Sequence, residues 1–166
     1  VVNTVARCQS LARRLGARCY HSRYTLHDRK ARHGEVIRAF QGDDGGAVLA
    51  VTTQVCEMSL DLDADVLISE IGPITALIQR MGRCNRHARP GDGRLGEVFF
   101  YPPEDEMPYT PEGLTGADAF LNEIDGRTVS QQTLQTLLET HGAGAVEVEK
   151  YTAFLEAGPW ASAREH

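Results

Sequence analysis

The chain has 166 residues, enough for one domain of ordinary size and a short appendage. Hydrophobic residues make up 42% and charged residues 24%, which excludes a disordered or fibrous chain. The net charge of −6 is uneven: residues 1–96 hold 14 Arg and Lys against 10 Asp and Glu, giving +4, and residues 97–166 hold 3 against 13, giving −10.

Such a split suits contact of the first part alone with a polyanion, although charge by itself leaves a purposeless drift equally open. No apolar run approaches the ~20 residues of a membrane span, and no signal peptide is visible, so no membrane partner is expected. The four cysteines, Cys8, Cys19, Cys56 and Cys84, include no C-x-x-C pair and read as reduced thiols of a cytoplasmic protein. The chain opens at Val1 inside an apolar run, as expected of a piece of a longer protein.

In chain order, residues 1–5 (VVNTV) predict a strand. Cys8, Leu11, Ala12 and Leu15 fall at i, i+3, i+4 and i+7 and predict a helix closed by Gly16. Residues 17–22 read as a second strand. Thr25 with Asp28 three residues on resembles a capping box, opening a helix whose stripe is His33, Val36, Ile37 and Phe40 and which the GDDGG at 42–46 ends. Residues 47–53 and 65–71 are apolar runs, as expected of strands buried on both faces of a parallel sheet. Ile74, Leu77, Ile78 and Met81 mark another helix, and residues 97–102 a last strand. The alternation predicts an α/β fold, a parallel sheet sandwiched by helices.

From Pro102 an acidic, proline-rich linker follows, then helical patterns near 117–125, 130–141 and 145–157. Ala117, Phe120, Leu121 and Ile124 form one stripe, and Leu134, Leu137 and Leu138 another. The expected division is therefore 1–102, the α/β domain, and 103–166, a linker and a small helical appendage. Trp160 reads as a packing anchor.

The most informative segment is ITALIQRMGRCNRH at 74–87. On a helix, Gln79, Arg83 and Arg86 share one face, opposite the apolar stripe. Two guanidiniums held about 5–6 Å apart on a rigid element suit a phosphate. Taken alone, a solvated basic face explains them as well.

Q-x-x-G-R-x-x-R resembles motif VI of superfamily 2 helicases, and the companion motifs stand upstream in order. Residues 1–5 resemble motif IV, HSR at 21–23 with Arg29 resembles the motif that touches the nucleic-acid backbone, and VTTQVCEMSLD at 51–61 resembles motif V. The run Q-x-x-E-x-S-L-D-x-D-x-D at 54–65, with Ser59 where most of the superfamily has glycine, is similar to the helicase-nuclease of type I CRISPR interference, as are HSRYTLHDR at 21–29 and QRMGRCNRH at 79–87. Cys84 and Asn85 depart from that family's usual apolar residue and histidine.

The resemblance covers residues 1–102 and implies a second RecA-like motor domain. Arg83 and Arg86 would then be arginine fingers to ATP, and Asp61 and Gln79 would lie near the nucleotide. Asn3, Thr4, His21, Ser22, Arg23, Thr52, Thr53 and Gln54 would meet single-stranded DNA. It further implies a crRNA-guided surveillance complex as partner, and a first RecA-like domain and an HD-type nuclease domain elsewhere in the same protein. No phosphate-cradling G-x-x-x-x-G-K-[ST], no D-E-x-H or D-E-x-D run and no nuclease H-D set is present. Mg²⁺ is therefore expected to be held mainly by the first motor domain, and this chain alone is expected to be inactive.

No metal site of its own is expected. Cys84 and His87 lack a second ligand pair, and Asp61, Asp63 and Asp65 lack the glycine and glutamate of a calcium loop. Two further readings stay open: another superfamily 2 RNA or DNA helicase, and a non-enzymatic nucleic-acid-binding module.

Overall fold

The computed structural model describes residues 1–42, 46–88, 93–104 and 107–142. The helical pattern at 145–157 and Trp160 lie outside the described residues. Two compact units are present, Val1–Leu114 and a second beginning at Thr115.

In the first unit the strands form two parallel pairs. β1 (Arg18–Tyr20) pairs with β2 (Ala50–Thr52), and β3 (Val66–Glu70) with β4 (Glu97–Tyr101), in register Ile68 to Phe99. Residues 1–3 join the pairs. The Val2 N–H donates to Thr52 O at 2.9 Å on one side, and the Glu70 N–H donates to Val1 O at 3.0 Å on the other. The strand expected over 1–5 thus shrinks to three extended residues, because Thr4 caps a helix that starts at Val5.

That helix, α1 (Val5–Leu15), buries Cys8 and Ala12 and closes on Gly16 at φ 61°, a left-handed conformation glycine adopts without a steric penalty. α2 (Leu26–Phe40) opens with the Thr25 Oγ1 accepting from the Asp28 N–H, as the capping pattern predicts. α3 (Val55–Ser59) is a short turn absent from the periodicity reading, and α4 is Ile74–Met81.

The core has a layer on each side of the sheet. Val2, Cys8, Ala12 and Val51 pack on the α1 side. Tyr20, Val36, Cys56, Leu60 and Leu62 pack on the other, with α2 and α3. β3 departs from the expected two-sided burial: Leu67 and Ser69 are buried, but Val66 is 49% and Ile68 56% exposed, as is their neighbour Phe99 at 54%. The Leu67 and Ser69 side carries α4. On the opposite side α1 meets the Glu70 end, through Arg7 Nε to Glu70 Oε1 at 2.7 Å.

In the second unit, α5 (Ala117–Ile124) and α6 (Gln131–His141) pair through their expected stripes, burying Phe120, Ile124, Leu134 and Leu137. His141 Nε2 and Glu123 Oε2 meet at 2.7 Å. Among the described residues no helix is long and apolar enough to cross a membrane.

Gly96 sits where the chain enters β4. A Cβ there would lie 2.6 Å from Cys84 Sγ and 2.8 Å from Asn85 Cβ, so any side chain must displace the turn after α4. Gly96→Ala is expected to destabilise by about 1–3 kcal/mol, read as a lowered urea midpoint at unchanged slope.

Candidate functional site

Every strand of the first unit runs the same way, so the sheet has two chemically distinct edges. The strand C-termini deliver Asn3 and Thr4, then His21, Ser22 and Arg23 after β1, and Thr53 and Gln54 after β2. The opposite edge receives the residues before β3, Asp61 to Asp65, together with the turn that follows α4. Ala64 bridges Cys84 there, and the Asn85 N–H donates to Ala64 O at 2.8 Å.

At the first edge several residues grouped by the sequence are buried. Asn3 donates its Nδ2 to Ile71 O at 2.8 Å and its backbone N–H to Glu70 Oε2, so it braces the sheet. Thr52 and Thr53 are buried, Thr52 within β2 and Thr53 donating its N–H to Tyr20 O at 3.3 Å. Thr4 spends its hydroxyl on the α1 cap.

His21 is buried too. Its ring stacks on Tyr24 with centroids 4.1 Å apart, its Nε2 lies 3.1 Å from Gln9 Nε2, and its Nδ1 accepts the Arg23 N–H at 3.2 Å. Burial, and then the Arg23 charge, hold its pKa below the ordinary value. A neutral imidazole that accepts from the Arg23 backbone fixes the course of the loop, and Ser22 and Arg23 are the exposed members.

At the second edge α4 stops at Met81, so Gln79, Arg83 and Arg86 do not share one helical face as the spacing predicts. Arg83 and Arg86 lie in a turn in which Asn85 takes φ 53°, a conformation asparagine tolerates. Arg83 donates its Nη2 to the Glu57 carbonyl. Burial, followed by the neighbouring Arg86 charge, lowers its pKa.

Arg86 meets Asp61 directly, Nε to Oδ1 at 2.9 Å, and its backbone N–H donates to Asp63 Oδ1 at 2.7 Å. Arg94 clamps Asp63 and Asp65 at 2.9 and 2.8 Å. Although burial opposes it, the Arg86 N–H and the Arg94 guanidinium hold the Asp63 carboxyl below its usual range. The Gln79 Oε1 is buried and, among the described residues, finds no hydrogen-bond partner.

The sequence reading missed the group between the two edges. Arg80 is fully buried at 0% exposure. Its Nε reaches Glu57 Oε1 at 2.8 Å, its Nη1 reaches Ser69 Oγ at 3.0 Å and Glu70 O at 2.9 Å, and its Nη2 reaches the Tyr109 hydroxyl at 3.0 Å. Burial pushes the Glu57 carboxyl up, against the pull of Arg80 and Arg83. The signal was there: Arg80 falls three residues after Leu77 and four after Ala76, on the buried stripe, and Glu57 stands in an apolar segment. Among the described residues no three His, Cys, Asp or Glu side chains gather as a metal ion needs.

Comparison with known proteins bears on this arrangement. Residues 1–89 match the family model of the CRISPR-associated nuclease/helicase Cas3, C-terminal. The chain is 45% identical over 142 residues to a putative CRISPR-associated nuclease/helicase Cas3 of Myxococcus xanthus, covering 81% of this chain and 18% of that protein. It is similar to the T. fusca Cas3–ADP crystal structure at TM-score 0.64 and 26% identity, over 94% of this chain and 22% of that one. A chain of a pre-nicking CRISPR RNA-guided surveillance complex aligns at TM-score 0.58 and 25% identity, over 93% of this chain and 23% of that one. The chain therefore spans about a fifth of the length of these proteins.

The two arginine environments differ in energy. Removing Arg80 strands a buried carboxylate, so Arg80→Ala is expected to cost about 3–5 kcal/mol in urea unfolding. The Arg86–Asp61 pair is open to water, and Arg86→Ala is expected to cost at most about 1 kcal/mol in the same measurement.

Proposed function

The chain belongs to the family of CRISPR-associated nuclease/helicase Cas3 C-terminal domains, and on that premise we propose that it is the second motor domain of an ATP-driven translocase on single-stranded DNA. Residues 1–102 carry the motor, residues 103–114 belong to the same compact unit rather than to a free linker, and the helical appendage begins at Thr115. The observation that carries the reading is the division of the sheet. A basic and carboxylate cluster of Asp61, Arg83 and Arg86 occupies one edge, strand-end loops with Ser22 and Arg23 occupy the other, and the buried Arg80–Glu57 pair stands between them.

In this mechanism ATP lies in the cleft between this domain and the first RecA-like domain of the same protein. As the cleft closes, Arg83 and Arg86 turn toward the terminal phosphate. Arg86 exchanges the Asp61 carboxylate for a phosphate oxygen of the same charge sign, which frees Asp61 for the ribose or the attacking water. Gln79, with a carbonyl oxygen still lacking a donor, joins the nucleotide side. The guanidiniums neutralise charge that develops in the transition state.

At the other edge the exposed Ser22 and Arg23 hold phosphates of the strand, and Thr4 and Gln54, whose polar groups serve the α1 cap, Asn3 O and the Tyr109 hydroxyl, steady the loops that carry them. Asn3, His21, Thr52 and Thr53 shape that surface from beneath. Backbone contacts that read no base permit sliding along any sequence. Mg²⁺ would supply charge neutralisation at the phosphates and would be held mainly by groups of the first motor domain. A crRNA-guided complex delivers the protein to cytoplasmic DNA, where an HD-type domain cuts the strand.

The test is the ATPase rate of the intact protein with single-stranded DNA, single-stranded RNA or neither. Stimulation by DNA is expected, with a loss of about 10³–10⁵ in the Arg83→Ala variant. The 166-residue chain alone is expected to show no turnover. Stimulation by RNA only, or an Arg83→Ala variant as active as the parent, would falsify the proposal.

A further inference from the structure

Tyr109 belongs to no helicase motif and lies beyond the residues matched by the family model. It falls in the proline-rich acidic segment that reads from sequence as a linker. In the fold Tyr109 belongs to the first unit, and its hydroxyl is placed between two side chains from different elements. Gln54 Nε2, at the strand-end edge, lies 3.3 Å from it, and Arg80 Nη2, from α4, lies 3.0 Å away. Both partners are donors only at these atoms, so the phenol oxygen accepts in each bond. The same Gln54 Nε2 donates to Asn3 O at 2.9 Å.

The ring is seated as closely as the hydroxyl. Gly72, just ahead of α4, has no side chain, and a Cβ there would come within 3.2 Å of Tyr109 Cε2 and 3.6 Å of the Arg80 Nη atoms. A continuous path follows: from Asn3 and Gln54, through the Tyr109 hydroxyl, to Arg80, then by its Nε to the Glu57 carboxylate at 2.8 Å, whose own backbone carbonyl takes Arg83. Apart from Tyr109, each member lies between residues 3 and 83 and sits on one of the three motif segments. The phenol closes the gap between the loop that ends β2 and the helix that carries Arg80 and leads into the arginine turn.

We infer that Tyr109 is a positioning residue that couples the nucleic-acid edge to the arginine turn, by holding Gln54 and Arg80 on one oxygen. This inference rests on the translocase reading above and goes beyond it, because it assigns a role to a residue outside the helicase motifs. A contiguous path is coupling only if its two ends respond together, and that fixes the measurement.

The readout is the ratio of DNA-stimulated to DNA-free ATPase in the intact protein, with the KM for ATP recorded alongside. Tyr109→Phe keeps the ring and removes the shared acceptor. The ratio is expected to fall about fivefold or more, with the KM for ATP little changed. A merely structural role lowers both rates in proportion, and an unchanged ratio overturns the inference.

Gly72→Ala provides the second variant, since it keeps the hydroxyl and presses a methyl group against the ring. It is expected to lower the same ratio, and it decides the matter if the Tyr109→Phe protein does not fold. A parent protein that single-stranded DNA does not stimulate overturns the translocase reading first and the coupling role with it. Stimulation of the parent with equal ratios in both variants overturns the coupling role alone.

Discussion

The buried pair of Arg80 and Glu57 is the constraint around which the first unit is organised. A guanidinium at 0% exposure is tolerable only when its donors are largely met, and hydrogen bonds to α3, β3 and the segment after β4 engage four of the five. To satisfy one side chain, three stretches distant in sequence must come to fixed positions. Glu57 is held by Arg80 through its carboxylate and holds Arg83 through its carbonyl, so the placement of α3 also sets the turn at the opposite edge.

The parallel sheet explains why two different clusters of polar side chains can share so small a unit. Side chains after the strands gather on one edge, and the returning helix α4 carries its C-terminus to the other. Residues 1–3 lie in the middle of this arrangement and bond to β2 and β3 at once. Asn3 then cannot serve as a surface contact, because its amide and backbone tie the end of β3 in place. His21 is similar: buried and stacked on Tyr24, it accepts the Arg23 N–H and fixes the course of the loop after β1.

Much of the fold was legible from local pattern. The Thr25–Asp28 cap, the Gly16 stop, the α5 and α6 stripes and the β4 run all depend on residues within one or two turns of each other, and the structure has them where the pattern puts them. The candidate site was legible in part. Arg86 and Asp61 do meet, but the helix expected to carry Gln79, Arg83 and Arg86 on one face ends at Met81. Helical spacing past that point has no meaning, because Ala64 and Asp63 capture the backbone of the turn. Tyr109 carried no periodic signal, since its partners lie 29 and 55 residues away.

The sequence by itself determined the α/β class, the order of the longer helices and of β1 to β4, and the polar residue types that stand in the motif segments. These follow from periodicity, caps and motif spacing, which are short-range properties of the chain. Only the tertiary structure decided which polar residues are surface and which are struts, and that Arg80 is interior. It also decided that Val66, Ile68 and Phe99 line an open face of the sheet. Burial and long-range hydrogen bonding depend on what folds over a residue, and no local pattern records that.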